Sequence, residues 1–158
     1  MGFYMDHVIE FVLMYHNEIE AAVEDKRNGG NVITGGSCGH SRVSDPTANK
    51  AVRNASEVAS VKIVHGASWC GERSTKTIRF PERWLRVSKA VRDHHEENDR
   101  TRDFFDRRYN KREDWRTTCR ELNMSRGVYY AMRTDVIHIA ELYAAHYGAF
   151  APQDFGRL

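Results

Sequence analysis

Apolar residues recur at spacings of three and four along most of the chain, which is the repeat of an amphipathic α-helix. Between residues 3 and 26 no glycine or proline interrupts this repeat. The apolar stripe there consists of Val8, Phe11, Val12, Tyr15 and Ile19. We therefore predict one long N-terminal helix, ended by Asn28-Gly29-Gly30 in the manner of a left-handed helix cap.

The apolar face of residues 3–23 is wide for an isolated helix, and the C-terminal stretch from Ile137 to Tyr147 is similarly apolar. Both exceed what a small three-helix unit could cover. The sequence thus predicts a homo-oligomer, with residues 1–27 as the candidate oligomerisation helix.

The middle region, residues 28–98, begins with a loop rich in glycine and serine at 29–44. Ser44-Asp45-Pro46 then predicts a helix start, since serine or aspartate caps the free amides and proline suits the first helical position. The expected apolar face of this helix is Ala51, Val52, Ala55, Val58, Ala59 and Ile63.

Another helix is predicted from Pro81, with Trp84, Val87 and Val91 pointing inward. Just before it, Ile78 and Phe80 alternate with polar residues, a pattern that leaves a short strand open but favours a loop.

The last third predicts three helices: the short aromatic "TRDFFDRRY", then "REDWRTTCREL", then one long helix from Ser125 to about Tyr147. No strand of consequence is expected. The predicted fold class is all-α, with a helical N-terminal part followed by a three-helix domain at 99–150.

The stretch "LNMSRGVYYAMR" indicates that this domain contains a helix-turn-helix, the motif that inserts its second helix into the DNA major groove. Asn123 tolerates the positive φ of the turn, and Cys119 takes the small buried position of the first helix. Ser125 is expected to cap the second helix.

In that second helix a core stripe is predicted from Tyr129, Met132, Val136, Ile139 and Tyr143. The predicted DNA-contacting residues of the helix lie away from this stripe: Ser125, Arg126, Gly127, Tyr130, Arg133 and Thr134. The alternative is a plain helical hairpin whose arginines are merely solvated.

Positive charge is concentrated in one part of the chain, although the net charge is only +2. Residues 71–133 contain 17 Lys and Arg against 11 Asp and Glu, whereas both flanks are acidic. Most of the 17 are arginine, which suits contacts to phosphate and guanine. Predicted contacts to the DNA backbone are Arg107, Arg108, Arg112, Arg116 and Arg120. A solvated helix surface with ion pairs would give the same count.

The C-terminal pattern, "RRY…W…TCREL" followed by "NMSRGVYYAMRTDVIHIAELYAAHYG", resembles the DNA-binding end of phage-encoded transcription activators of the RinA/ArpU type. These activators are in turn similar to the last DNA-binding region of sigma factors. The segments "SDPTANKAVRNA" and "PERWLRVSKAV" extend the resemblance over roughly residues 35–150. The sequence departs from the family pattern at Ala131 and Met132, where the family commonly has a basic residue and a tryptophan.

This resemblance implies control of late phage genes, with double-stranded DNA and host RNA polymerase as partners. It also implies that Ser125, Arg126, Tyr130 and Arg133 read the bases. Two rival functions remain open: a small terminase subunit that recognises phage DNA for packaging, and a protein-interaction module that does not touch DNA.

Metal binding and catalysis are weaker interpretations. Cys38, His40, His65 and Cys70 could form a zinc set, but their spacings fit no standard finger. The pair His94-His95 beside Glu96-Glu97 is a charged helix end, and "GGSCGHS" lacks the lysine of a phosphate-binding loop. We expect no enzymatic activity, no cofactor and no metal.

The chain has no run of 18 apolar residues that could span a membrane, and its N-terminus lacks the basic start of a signal peptide. Its three cysteines are too few and too scattered for a disulfide framework. The expected location is the cytoplasm of a bacterial host.

Overall fold

The computed structural model of the chain describes residues 2–28, 56–66 and 74–150. Its helices are α1 (Gly2–Met14), α2 (His16–Arg27), α3 (Pro81–Glu96), α4 (Asp99–Phe105), α5 (Trp115–Glu121) and α6 (Arg126–His146). A π-helical turn, Asp106–Asn110, continues α4, and two strands, β1 (Ser60–His65) and β2 (Ser74–Arg79), precede α3. The predicted glycine-rich loop, the helix start at Ser44 and the residues Ala51, Val52 and Ala55 lie outside the described residues.

The fold is mainly helical, as predicted, but the all-α layout is wrong because β1 and β2 form an antiparallel pair. Val61 pairs with Ile78, and both side chains are buried together with Ile63. Lys62 and Val64, on the alternate positions, are exposed. This two-residue alternation of β-branched residues fits a half-buried strand better than a helix. The helix predicted through Ile63 and the loop predicted around Ile78 are therefore both corrected.

The described chain divides into two compact units that do not follow the predicted regions 1–27, 28–98 and 99–150. One unit comprises Met1–His16 with Arg83–Leu158, and the other comprises Asn17–Glu82. In the first unit α1 packs against the π-helical turn and against α6. The N-terminal helix thus belongs to the unit that carries the predicted DNA-binding helices.

The predicted N-terminal helix is interrupted at Tyr15, where α1 ends and α2 begins. The backbone carbonyl of Met14 accepts a hydrogen bond from Nε of Arg112 at 2.8 Å. The guanidinium of Arg112 also lies over the Tyr15 ring, 4.3 Å from its centroid. A carbonyl that accepts from a side chain competes with the next turn of the helix, which accounts for the break at this point.

The apolar face of α1 is covered within the chain. Phe11 and Val12 are 8% and 1% exposed, and Ile9 and Leu13 are equally buried. Near the other end of the chain, Ile137, Ala140 and Ala144 of α6 are buried as well. Most of the apolar surface that motivated the predicted oligomer is therefore covered inside one chain, although Leu142 of the C-terminal stretch remains 68% exposed.

Aromatic residues of α4 and the π-helical turn form the centre of this core. The ring of Phe104 meets that of Tyr129 edge to face at 5.3 Å, and Phe105 lies 5.0 Å from Tyr109. All four side chains are at most 2% exposed. The predicted short aromatic helix is therefore present, and its rings pack against Tyr129 of α6.

His95 at the end of α3 is buried against this core. Its ring stacks on Phe105 at 5.3 Å, and Nδ1 shares a 2.8 Å hydrogen bond with the hydroxyl of Thr101. Burial, reinforced by neighbouring His94, lowers the pKa of His95 to about 4. The imidazole is thus neutral near pH 7 and acts as a packing residue.

An ion cluster of Glu10, Arg108 and Arg133 joins α1 to the π-helical turn and to α6. Arg133 donates from Nε to Oε1 of Glu10 at 2.7 Å and from Nη2 to Oε2 at 2.9 Å. Arg108 donates from Nη2 to Oε1 at 3.3 Å. Burial alone would raise the pKa of Glu10, but the two guanidinium groups outweigh it and hold the pKa below 4.5.

We expect Glu10→Gln to lower the free energy of unfolding by about 2–4 kcal/mol, because two partly buried guanidinium groups would lose their counter-charge. The difference from wild type is present at neutral pH. It shrinks as pH falls through the lowered pKa of Glu10, where protonation removes the wild-type carboxylate as well. Urea unfolding over a series of pH values from 7 downwards measures both effects.

Glu20→Gln provides the matched control, since Glu20 is an exposed glutamate of α2. It should change the stability by no more than about 0.5 kcal/mol. Equal effects of the two substitutions would contradict the role given to the ion cluster.

Candidate nucleic-acid interface

Helix α5 begins at Trp115 because Asp114 caps it. The carboxylate of Asp114 accepts a hydrogen bond from the backbone amide of Thr117 at 2.7 Å. Hydrogen bonds from Thr117 hold the pKa of Asp114 below its usual value of 3.8. The negative charge also complements the positive end of the helix dipole.

The turn between α5 and α6 has the geometry of a Schellman motif, in which a left-handed residue reverses the chain and satisfies the last carbonyls of the helix. Asn123 is that residue, with φ of 49°. The amide of Asn123 donates to the carbonyl of Arg120 at 3.4 Å, and the amide of Met124 donates to the carbonyl of Cys119 at 3.0 Å. The turn predicted at Asn123 is confirmed.

The small buried side chain of α5 is Thr118 rather than Cys119. Thr118 is fully buried, and its hydroxyl donates to the carbonyl of Asp114 at 2.9 Å. Cys119 is only half-buried. The buried position of α5 therefore differs by one residue from the predicted alignment.

Helix α6 starts as predicted. Ser125 is its N-cap, and the Ser125 hydroxyl accepts from the amide of Val128 at 3.3 Å. Of the predicted core stripe, Tyr129 and Val136 are buried, whereas Met132, Ile139 and Tyr143 are only half-buried, because the helix buries Ile137, Ala140 and Ala144 instead. At the start of the helix the predicted rotation holds, since Tyr129 is 2% exposed and its neighbour Tyr130 is 39% exposed. Tyr130 consequently lies on the surface that the motif would turn towards DNA.

Two arginines from the two helices share an aromatic surface here. The guanidinium of Arg126 lies 5.0 Å from the centroid of the Trp115 ring and 5.5 Å from that of Tyr130. The guanidinium of Arg116 lies 5.4 Å from the Trp115 ring. We call these four residues the Trp115 cluster. Cation–π contact orients a guanidinium without neutralising its charge, so both arginines remain able to bind an anion or a base edge.

Arg133, predicted to read bases, lies instead in the ion cluster with Glu10. Its side chain is 22% exposed, and both of its paired nitrogens donate to the same carboxylate. The Glu10 hydrogen bonds raise the pKa of Arg133 above its usual value. Binding to DNA through this residue would require breaking that pair, so we assign Arg133 to the protein interior.

Three of the five arginines predicted to contact the DNA backbone are also engaged within the chain. Arg107 donates to both oxygens of Glu113 at 3.2 Å, Arg108 belongs to the ion cluster, and Arg112 holds the carbonyl of Met14. The charge surplus of residues 71–133 therefore overstates the positive charge that faces solvent.

The other two predicted backbone contacts, Arg116 and Arg120, are exposed. Arg120 pairs with its neighbour Glu121, at 3.4 Å, and its side chain is 75% exposed. Exposed pairs of this kind contribute little, so Arg120 can exchange its partner for a phosphate. Thr134, another predicted contact, lies on α6 one turn after Tyr130. It is exposed, and its hydroxyl donates to the carbonyl of Tyr130 at 2.9 Å.

In the first two turns of α6, two exposed residues were not among the predicted contacts, namely Val128 and Ala131. Gly127 lies between them and the cap, and a Cβ built on it would meet only the hydroxyl oxygen of Ser125, at 3.9 Å. The packing of the protein thus does not demand a glycine here. An apolar residue interrupting a polar face was the signal that could have identified Val128.

Within the ranges that the structure describes, no three His, Cys, Asp or Glu side chains come together as metal ligands. His65 is half-buried on β1, while Cys38, His40 and Cys70 lie outside those ranges. None of the helices described is long and apolar enough to cross a bilayer.

Comparison with known proteins found no family model, no curated protein and no solved structure that matches this chain. The interpretation of the site therefore depends on its own geometry and on the sequence resemblance.

Proposed function

We propose that the protein binds double-stranded DNA through the N-terminal end of α6. The observation that carries this proposal is the Trp115 cluster, which holds Arg126 at the start of a capped helix that follows a tight turn. In a helix-turn-helix the first residues of the second helix reach base edges, and the preceding helix contacts the backbone. Arg126 is the first residue of α6, and Arg116 lies on the preceding helix, α5.

Each residue of the site has a chemical task in this proposal. Arg126 donates two parallel hydrogen bonds to a guanine in the major groove. Tyr130 supports that guanidinium and offers its hydroxyl to the duplex. Ser125 and Gly127 are exposed at the N-terminal end of α6, and the start of a helix attracts a phosphate because it carries partial positive charge.

Backbone binding relies on few charges. Arg116 and Arg120 of α5 are exposed, whereas Arg107, Arg108 and Arg112 are engaged within the chain. Affinity falls as salt rises, because each phosphate contact releases counterions. Each contact makes the slope of log affinity against log salt concentration steeper by nearly one unit. A moderate salt dependence is the signature of this arrangement.

We propose further that this binding regulates transcription, as an activator of late phage genes that works with host RNA polymerase. This step rests on the sequence resemblance of residues 35–150. Transcription in vitro tests it, with a promoter placed next to the DNA site that the protein selects from random duplexes. An unchanged transcript level in the presence of the protein would contradict the regulatory role.

We expect Arg126→Ala and Arg116→Ala to weaken DNA binding in different ways. Arg126→Ala should cost about 1–3 kcal/mol on the preferred site and relax the choice of one base pair. Arg116→Ala should weaken all duplexes alike and reduce the salt slope by roughly one. Selection from random duplexes, followed by titration at several salt concentrations, measures both.

Leu142→Ala is the control for these variants, because Leu142 lies on the same helix, 68% exposed and far from the Trp115 cluster. It should leave affinity and salt slope unchanged. If neither arginine variant differs from this control, the DNA-binding proposal is wrong.

We expect Gly127→Ala to change the thermal stability and the affinity for DNA in opposite directions. Alanine has a helix propensity about 0.5–1 kcal/mol better than glycine, and the space at Gly127 admits a methyl group, so thermal stability should rise. A methyl group between helix and phosphate should nevertheless weaken duplex binding. Thermal unfolding and duplex titration of one preparation give both quantities; tighter binding together with higher stability would argue against close phosphate approach at this residue.

A further inference from the structure

The start of α6 exposes apolar surface that the contacts described so far do not use. Val128 is 47% exposed, and Ala131 is exposed one turn later. Within the described residues the large exposed apolar side chains are Val64, Val128, Tyr130 and Leu142. Two of these four, Val128 and Tyr130, belong to the first two turns of the helix that presents Arg126.

The rotation of α6 places this surface where a groove floor would be. Successive helical residues are about 100° apart, so with Tyr129 buried, Gly127 and Ala131 lie on the opposite, outward side. Val128 and Tyr130 flank them. Small residues at the outermost position allow the helix backbone to come close to a partner, which brings the valine and alanine methyl groups to the partner's surface.

The major groove offers an apolar group of matching size, the 5-methyl of thymine. The hydroxyl and guanidinium groups on the Tyr130 side would meet polar base edges, whereas Val128 has no polar atom in its side chain. We propose that Val128, with Ala131, is a specificity-determining contact to thymine methyl groups. The DNA site then contains an obligatory thymine close to the base pair that Arg126 contacts.

This inference rests on the proposed function, and it adds the kind of base that the helix selects. A protein partner that covered Val128 would be an alternative occupant of the same surface. Duplexes that differ only in thymine methyl groups distinguish the two, since uracil, the base of deoxyuridine, keeps every hydrogen-bonding group of thymine and lacks only the 5-methyl.

The test uses the full chain and the duplex obtained by selection. Each thymine of the site is replaced in turn by deoxyuridine, and the dissociation constant is measured for every duplex. Removal of one buried methyl group should weaken binding about four-fold at one or two positions and leave the remaining positions unchanged.

Val128→Ala should weaken binding to the thymine duplex and should remove most of the difference between the thymine and uridine duplexes. Alanine has the higher helix propensity, so the variant keeps its fold. Leu142→Ala, which shortens an exposed apolar side chain elsewhere on α6, should preserve the full thymine-to-uridine difference.

The outcomes separate this inference from the proposed function. Duplex binding that no uridine substitution changes, or a selected site without an obligatory thymine, would overturn the role of Val128 and leave DNA binding intact. A four-fold methyl effect that persists unchanged in Val128→Ala would assign the contact to another residue. Failure to bind any duplex would overturn both.

Discussion

The unit formed by Met1–His16 and Arg83–Leu158 depends on the ion pairs that the carboxylate of Glu10 makes. This carboxylate accepts hydrogen bonds from Arg108 in the π-helical turn and from Arg133 in α6, so one side chain joins segments about a hundred residues apart in sequence. A partly buried carboxylate is costly unless it is paired, and the two guanidinium groups are costly without it. Helix α1 is therefore required for the position of α6, although it contributes no residue to the proposed DNA contact.

Local features of the site could be predicted because their physical causes are local. Ser125 caps a helix wherever the next residues are helical, and Asn123 accepts a left-handed conformation at small cost. The burial of Tyr129 and the exposure of Tyr130 follow from the three- and four-residue spacing of apolar side chains. These residues define the turn, the start of α6 and the surface that it exposes.

Features that depend on distant partners could not be predicted in the same way. A count of arginines does not distinguish Arg126, which faces solvent, from Arg133, whose partner is 123 residues away. The short segment with Val61 and Ile63 fits a helix and a strand equally until β2 is known to lie beside it. The wide apolar face of α1 predicts an oligomer when it is considered alone, because the segment that packs against it lies almost a hundred residues later.

The length of α6 has a mechanical consequence. The helix has 21 residues, or about 30 Å, and only its first two turns reach the proposed contact surface. At its far end a Schellman turn at Gly148 stops it, and Arg83 of α3 donates to the carbonyl of Gly148 at 2.8 Å. Near its other end Arg133 is held by Glu10. The two fixed points lie about 22 Å apart along the helix axis, and Arg126 lies only about 10 Å beyond the nearer one. A rod fixed at two points cannot swing about either of them, so the position of Arg126 is set before any partner approaches.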